Sequence, residues 1–429
     1  MARFSLKRSG TVRTEGSGSG RFRITQKGAF FAVAALLGSV AALSHSTVNM
    51  LHTRSPAAAL AINGDDPVAL VRDAQSRIVA GDAQATSESA VLSVVQRSVQ
   101  ELPINGPALR LYGLNSAAGG GTNLATMRAQ MEASDRMERR DVGAQLWLIE
   151  SAVEQNDVNR ALRHYDTALR IEESSRALLY PVMTDAMDSP LIRDRFLPYM
   201  AANPPWLESF LRYAVSRTDT PVSMARLAKA NNGWPEGAAF SSLDTELLAR
   251  LVSNNDFEEA VAHFQRIEGA DPAILTTLAL NNASTNWRLA PLAWQPFKIE
   301  GIETFILASP EGGGAVEIEA EFQAGFKGPV ARKFMALKPG RYRVASAMRA
   351  EDFSRPDQMQ WRLTCASEGQ GSTLLSENVD FGEKMQLSGT LQVPAACPVQ
   401  LLMVSANTLV TTRYIKLVLE TAEITPLAR

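Results

Sequence analysis

Few residues in this chain are equipped for bond-making chemistry. Its 429 residues include only four histidines and two cysteines. The histidines, His45, His52, His164 and His263, form no His-x-x-x-His or His-Glu-x-x-His pair that would hold zinc. Gly119-Gly120-Gly121-Thr122 could cradle an anion at a helix start, but no lysine follows as in a phosphate-binding loop, and a capped loop is the expectation. There is no nucleophile elbow. Carboxylates leave one chemistry open, because a glycosidase needs only two at the right separation, and 45 Asp and Glu residues can supply such a pair. No catalytic, cofactor-binding or metal-binding residue is therefore assigned. The chain reads as non-enzymatic, and the alternatives are a glycan-active hydrolase or lyase with an unrecognised carboxylate site and a lectin-like polysaccharide-binding protein.

The elements that must position any site follow from charge and periodicity. Lys plus Arg number 43 against the 45 acids, a net charge of −2, and a balance so close to zero argues against a dedicated nucleic-acid binder. Apolar residues at 45% and charged residues at 21% mark globular material, long enough for two or three domains. The charge is unevenly spread. Residues 1–28 carry seven basic side chains against Glu15 alone, which makes the segment +6 and leaves −8 for the rest. Gly16-Ser17-Gly18-Ser19-Gly20 cannot hold a helix, so 1–28 reads as a flexible basic tail.

Ala29 to Leu43 carries no charge, and the uncharged stretch extends over the 24 residues from Gly28 to Leu51. At about 1.5 Å per residue it can cross a hydrocarbon core of roughly 30 Å, and the basic flank sets the N-terminus inside. The expectation is a transmembrane signal anchor over 29–51 and a linker over 52–64. That describes a single-pass protein of a bacterial inner membrane, with a cytoplasmic N-terminus and the bulk of the chain periplasmic. A cleaved signal peptide ending near Ala42-Leu43-Ser44 is the alternative, and it would export the same body. Cys365 and Cys397 suit that compartment as a disulfide pair, with two buried free thiols as the alternative.

From residue 65 to 287 apolar side chains recur with a helical period, interrupted at Pro103, Pro181, Pro190, Pro204-Pro205, Pro221 and Gly233-Trp234-Pro235. Asp65-Asp66-Pro67 is a helix start, an aspartate cap with proline in the first turn. The segment Val153–Tyr165 is echoed by Val252–Phe264 at an offset of 99 residues, with Val, Asn, Asp, Ala, His and a closing aromatic in register. An Asn-Asp turn, a small Ala and an aromatic four residues later suit a helical hairpin: the turn caps the second helix, Ala allows close approach and the ring fills the groove. Such recurrence explains His164 and His263 as structural positions. The pattern resembles the tetratricopeptide repeat. Leu148, Ala161, Tyr165 and Ala168 match its signature in one copy, Leu247, Ala260 and Phe264 in the other, and a weaker copy runs from Tyr112-Gly113 to Ala125. The usual Trp and closing Pro are absent, and no repeat can be placed between Glu172 and Leu243. The resemblance implies a helical solenoid over 65–287 that docks a protein partner.

Near Trp294 the period changes to two. Val316–Phe322 alternates strictly and sets Glu317, Glu319 and Glu321 on one face; such a row could bind Ca²⁺, but a solvated strand face is the expectation. Further strands are read at Arg341–Ala345, Trp361–Cys365, Met385–Val393, Val399–Ser405 and Arg413–Ile424, which indicates an all-β antiparallel sandwich or jelly roll over 290–429. Leu337-Lys338-Pro339-Gly340-Arg341-Tyr342-Arg343, then Trp361–Cys365, then Val393-Pro394 and Cys397 resemble carbohydrate-binding modules of jelly-roll type. That resemblance implies aromatic rings stacked on sugar faces, for which Trp361, Tyr342 and Trp294 are available; core packing is the competing reading of each. The expected molecule is multidomain, with a transmembrane helix, a TPR-like α-helical solenoid and a C-terminal β-sandwich. It resembles anchored scaffold proteins of cell-envelope and exopolysaccharide systems. The partners so implied are the inner membrane, a protein on the repeats, and a polysaccharide or second protein on the sandwich, with no nucleic acid and no cofactor.

Overall fold

The computed structural model describes residues 26–427 apart from 119–123, 218, 220, 311, 324, 354–355, 367–371 and 410–413, and it leaves the side chains of 26–36 and 116–118 undescribed. Most of the basic tail and the glycine run at 119–121 lie outside the described residues. So do the side chains in the first part of the apolar stretch. The chain forms two compact units, one ending at Trp147 and one spanning Leu148–Arg429.

The first unit is helical. It contains α1 (Gln26–Leu51), α2 (Pro56–Ile62), α3 (Pro67–Val79), α4 (Glu88–Glu101), α5 (Gly106–Ala118) and α6 (Leu124–Met137), and α7 (Val142–Glu154) leads into the second unit. The start of α3 has a local cause: Asp66 Oδ1 accepts from Ala69 N at 2.8 Å, and Pro67 gives up an N–H that would have no helical partner. Ser87 caps α4 in the same way. Apolar stripes from α3, α4 and α5 meet in a core of Val71, Ala74, Val91, Val95, Ala108 and Leu111. The end of α1 packs through Val48 against Ala59 and Ala69. Among the described residues no helix is long and apolar enough to cross a membrane.

The second unit opens with α8 (Val158–Ile171), α9 (Arg176–Ala186), α10 (Pro190–Ala202), α11 (Leu207–Arg217), α12 (Pro221–Ala230), α13 (Leu243–Ser253) and α14 (Phe257–Phe264). The two echoed segments fold alike. Asn156 and Asn255 take left-handed φ values of 55° and 63°, which asparagine tolerates better than most residues. Asp157 N and Asp256 N donate back to Ala152 O and Leu251 O at 2.9 and 2.8 Å, closing each preceding helix. Ala161, Tyr165, Ala260 and Phe264 are all buried. Asn-Asp with a left-handed asparagine does not recur between them: Asn203 is followed by Pro204 and Asn232 by Gly233. Two such hairpins are therefore present among the described residues, without a regular repeat joining them.

Ten strands follow: β1 (Gln295–Pro296), β2 (Ile302–Ala308), β3 (Val316–Gln323), β4 (Lys327–Met335), β5 (Gly340–Glu351), β6 (Gln358–Cys365), β7 (Thr373–Asp380), β8 (Met385–Val393), β9 (Gln400–Asn407) and β10 (Tyr414–Pro426). They pair into two antiparallel sheets, ordered β1-β4-β9-β6-β7 and β2-β3-β10-β5-β8, stacked as a sandwich. Alternation builds the core: β6 turns Met359, Trp361, Leu363 and Cys365 inward, and β10 adds Ile415, Leu417 and Leu419. Gly389 on β8 sits close to the facing sheet: a Cβ there would lie 2.8 Å from Leu375 Cδ1 of β7, and that side chain would have to shift. Leu278 and Leu280, ahead of the first strand, also belong to this core. Ala336 N donates to Leu275 O at 2.8 Å, and Phe257 of α14 meets Phe334 of β4 at 6.2 Å between ring centroids. Helices and sandwich of this unit thus share packing.

Lys333 breaks the strand pattern. Ala331, Lys333 and Met335 point the same way from β4, into the interior, and Lys333 is 0% exposed. Its Nζ donates to Leu292 O at 3.2 Å, and burial lowers its pKa from 10.5 to about 7.

Cys365, at the end of β6, and Cys397, in the loop after β8, form a disulfide with Cα atoms 5.5 Å apart and a sequence separation of 32. Closing a loop of that size restricts the unfolded chain and contributes roughly 3–4 kcal/mol in the chain-entropy model. Replacing both cysteines with alanine is expected to lower stability by about that amount, read as a shift in the denaturant midpoint; an unchanged midpoint would refute it.

Candidate functional site

The rings expected to stack on sugars are placed differently. Trp294 and Trp361 are each 0% exposed and meet edge to face at 6.4 Å and 78°. Trp294 Nε1 donates to Leu278 O at 3.1 Å, and Trp361 Nε1 points to Met359 Sδ at 3.0 Å. Neither can offer a face to a ligand, which corrects the expectation for both. The cause is the strand period: Trp361 shares its side of β6 with Met359, Leu363 and Cys365, so the largest side chain goes to the centre of the core. Tyr342 is half-buried against the same core and its hydroxyl donates to Lys338 O at 2.9 Å.

The outer face of the β2-β3-β10-β5-β8 sheet carries ion pairs, and Glu317, Arg349 and Glu420 line a cavity of about 510 Å³ there. Glu317 and Glu319 are only 7% and 8% exposed, so the expected solvated face is not formed at these two positions. Lys416 Nζ reaches Glu319 Oε2 at 2.7 Å, and Arg349 Nη1 reaches Glu420 Oε1 at 2.6 Å and Glu317 Oε2 at 3.4 Å. The hydrogen bond to Glu420 is the main reason the Arg349 pKa is raised, and that to Glu319 acts likewise on Lys416. Cations therefore neutralise Glu317 and Glu319, while Glu321 is exposed. Among the described residues no group of three His, Cys, Asp or Glu side chains is arranged to hold a metal ion.

The outer face of the other sheet is open. Because odd-numbered residues of β6 fill the core, Gln358, Gln360, Arg362 and Thr364 face away from it. Register then assembles two rows across the strands. One is Ser405–Gln360–Asn378, and the next is Met403–Arg362–Ser376. Neighbouring strands lie about 4.8 Å apart, so each row sets its side chains side by side at about that interval. Gln360, Asn378, Ser376 and Ser405 have no side-chain hydrogen-bond partner among the described residues, and Arg362 has only a 3.5 Å contact to Thr373 Oγ1. Amide and guanidinium groups can both donate and, for the amides, accept, which suits ligands rich in hydroxyls. At one margin Arg332 is taken up by Gln295 Oε1 at 2.7 Å and by the Phe297 ring at 5.5 Å; burial lowers its pKa. These polar residues were not singled out from the sequence, though the alternation around Trp361 is the signal that locates them.

The two equivalent histidines have different surroundings. His164 is half-buried on α8, whereas His263 on α14 is buried and its Nε2 lies 3.0 Å from Asp244 Oδ1.

No protein-family model matches this chain, and no curated protein sequence matches it. Solved structures with some likeness include the N-terminal CBM22-1–GH10 modules of Clostridium thermocellum endo-1,4-β-D-xylanase 10B, complexed with xylohexaose. That likeness has 12% identity and a TM-score of 0.25, and it covers 32% of this chain and 26% of that one. A second is the CBM22-1 xylan-binding domain of Paenibacillus barcinonensis Xyn10C, at 14% identity and TM-score 0.24, covering 32% of this chain and 86% of that one. A third is TmCBM61 in complex with β-1,4-galactotriose, at 12% identity and TM-score 0.22, covering 32% of this chain and 90% of that one. The C-terminal sandwich resembles carbohydrate-binding modules.

Proposed function

We propose that this protein is a non-enzymatic, membrane-anchored periplasmic scaffold of the cell envelope whose sandwich binds a polysaccharide on its open sheet face. The observation that carries the glycan reading is the pair of rows Ser405–Gln360–Asn378 and Met403–Arg362–Ser376 on the outward β surface, where Gln360, Asn378, Ser376 and Ser405 have no side-chain partner among the described residues. Contact there is through hydrogen bonds from planar side chains, with Met403 as an apolar element, and without an aromatic platform. The anchor rests on the uncharged stretch 28–51 behind a +6 segment. The scaffold role rests on the helical hairpins, read as tetratricopeptide-like, and on apolar side chains that they leave uncovered. Leu178 and Val182 stand four residues apart on α9 at 58% and 52% exposure, with Leu191 on α10 at 53%. That is the spacing of a helix-docking stripe.

The test is a glycan array probed with the purified chain and with a Gln360→Ala/Arg362→Ala double variant. Retention of one polysaccharide class is expected, with affinity in the variant weaker by about tenfold or more at an unchanged melting midpoint. Equal binding by the variant, or no glycan retained by the native chain, would refute the reading.

A further inference from the structure

The turn between α12 and α13 encloses a cavity that the sheet faces do not share. Helix α12 ends at Ala230, and Asn232 and Gly233 take φ values of 59° and 116°. Gly233 N donates to Ala228 O at 2.8 Å, so the chain folds back sharply over the helix end. This brings Trp234 to the first turn of α13, where its indole N–H donates to Asp244 Oδ1 at 2.8 Å. From α14, His263 Nε2 reaches the same oxygen at 3.0 Å, and its ring lies 6.4 Å from that of Trp234. The cavity measures about 470 Å³, with Arg266 and Arg288 also on its wall. That volume falls within the range of small-molecule sites, roughly 300–1,000 Å³.

The lining is polar groups held in place but not fully used by the fold. Asp244 Oδ1 receives two N–H groups, while its Oδ2 has no partner among the described residues. His263 is 3% exposed; its Nδ1 and the Nε of Arg288 are buried without a hydrogen-bond partner and do not face the cavity. Three carboxylates, Glu236, Asp244 and Glu268, and two guanidinium groups, Arg266 and Arg288, line the cavity, a mixed set that selects neither a simple cation nor a simple anion. They do suit a neutral ligand with hydroxyls on several sides and one apolar face. A carboxylate accepts hydroxyl protons, guanidinium groups donate to ring and hydroxyl oxygens, and an indole packs on a face of C–H groups.

We propose that this cavity is a second saccharide site, binding a single pyranose unit or the end of a glycan chain between Trp234, Asp244 and Arg288. It lies on helical elements and shares no residue with the sheet face, so either site can fail while the other stands.

The experiment titrates the full chain with glucose, galactose, mannose and N-acetylglucosamine at millimolar concentration, following tryptophan emission and the melting midpoint. One of these sugars is expected to change the emission saturably and raise the midpoint, as a ligand specific for the native state must. Trp234→Phe should remove the emission change, and Asp244→Asn should weaken affinity by about tenfold or more. Gln360→Ala/Arg362→Ala should leave the response intact. Arg288→Ala provides the same check as Asp244→Asn without disturbing the bonds to Trp234 and His263. The proposal is overturned if no sugar alters either readout of the native chain. It is equally overturned if the response survives unchanged in the Asp244, Trp234 or Arg288 variant, or disappears in the sheet-face variant.

Discussion

Replacing Lys333 with methionine is expected to stabilise the folded chain by several kcal/mol at neutral pH. Lys333 is fully buried, with Leu292 O as its hydrogen-bond partner, and burial lowers its pKa from 10.5 to about 7. Between those two values the unfolded chain holds a proton that the folded chain does not, so stability rises with pH across that window. Above about 10.5 both states are neutral and the penalty vanishes; below about 7 both are protonated and the penalty is complete. At about 1.36 kcal/mol per pH unit the complete penalty is on the order of 5 kcal/mol. Methionine fills a similar volume without a charge and removes that term. Denaturant unfolding of both chains at pH 6, 8 and 10 would show a difference that shrinks as pH rises. Comparing the two chains cancels other titrations, including the buried tyrosines Tyr165, Tyr180 and Tyr199, whose pKa values burial raises from 10. A difference independent of pH would refute the assignment.

Truncating Trp361 to alanine is expected to cost about 3–5 kcal/mol, the usual range for emptying a buried aromatic site. The ring is 0% exposed and packs edge to face on Trp294, so its removal opens a cavity between the sheets and strips contacts from a second tryptophan. Trp361→Phe retains part of the volume and should cost less. This pair separates the core role from a sugar platform. A platform residue would lose affinity at constant melting midpoint, whereas a core residue loses the midpoint first. Normal stability in Trp361→Ala, measured by denaturant unfolding, would refute the core role.

Much of the local structure was legible in the residues. The start of α3 follows from Asp66 and Pro67, whose effects act within one helical turn. The hairpins at Asn156-Asp157 and Asn255-Asp256 follow from a turn chemistry contained in two adjacent residues. The change from helix to strand near Trp294 shows as a change of period, and six strands, β3, β5, β6, β8, β9 and β10, overlap the alternating segments, while β1, β2, β4 and β7 were not legible there. The polar sheet face was legible in part. Once Trp361 is known to point inward, Gln360 and Arg362 must point outward, but which of the two sides is the core is decided by the opposing sheet.

The sequence by itself determined the helical first part, the two echoed hairpins and the antiparallel character of the last third, because capping, turn chemistry and hydrophobic period depend on near neighbours. Only the tertiary structure decided which side chains of those elements meet. The residues beside Lys333 do not mark it as buried, yet the packed structure places it in the interior beside Leu292. Glu317 and Glu319 read as a solvated row until β10 and β5 bring Lys416 and Arg349 beside them. Trp234, Asp244 and His263 come from three separate segments and meet only because the α12–α13 turn and the α13–α14 hairpin fold toward one another. Contacts between residues far apart in the chain depend on closing long loops and filling a common volume, and no window of sequence contains that information.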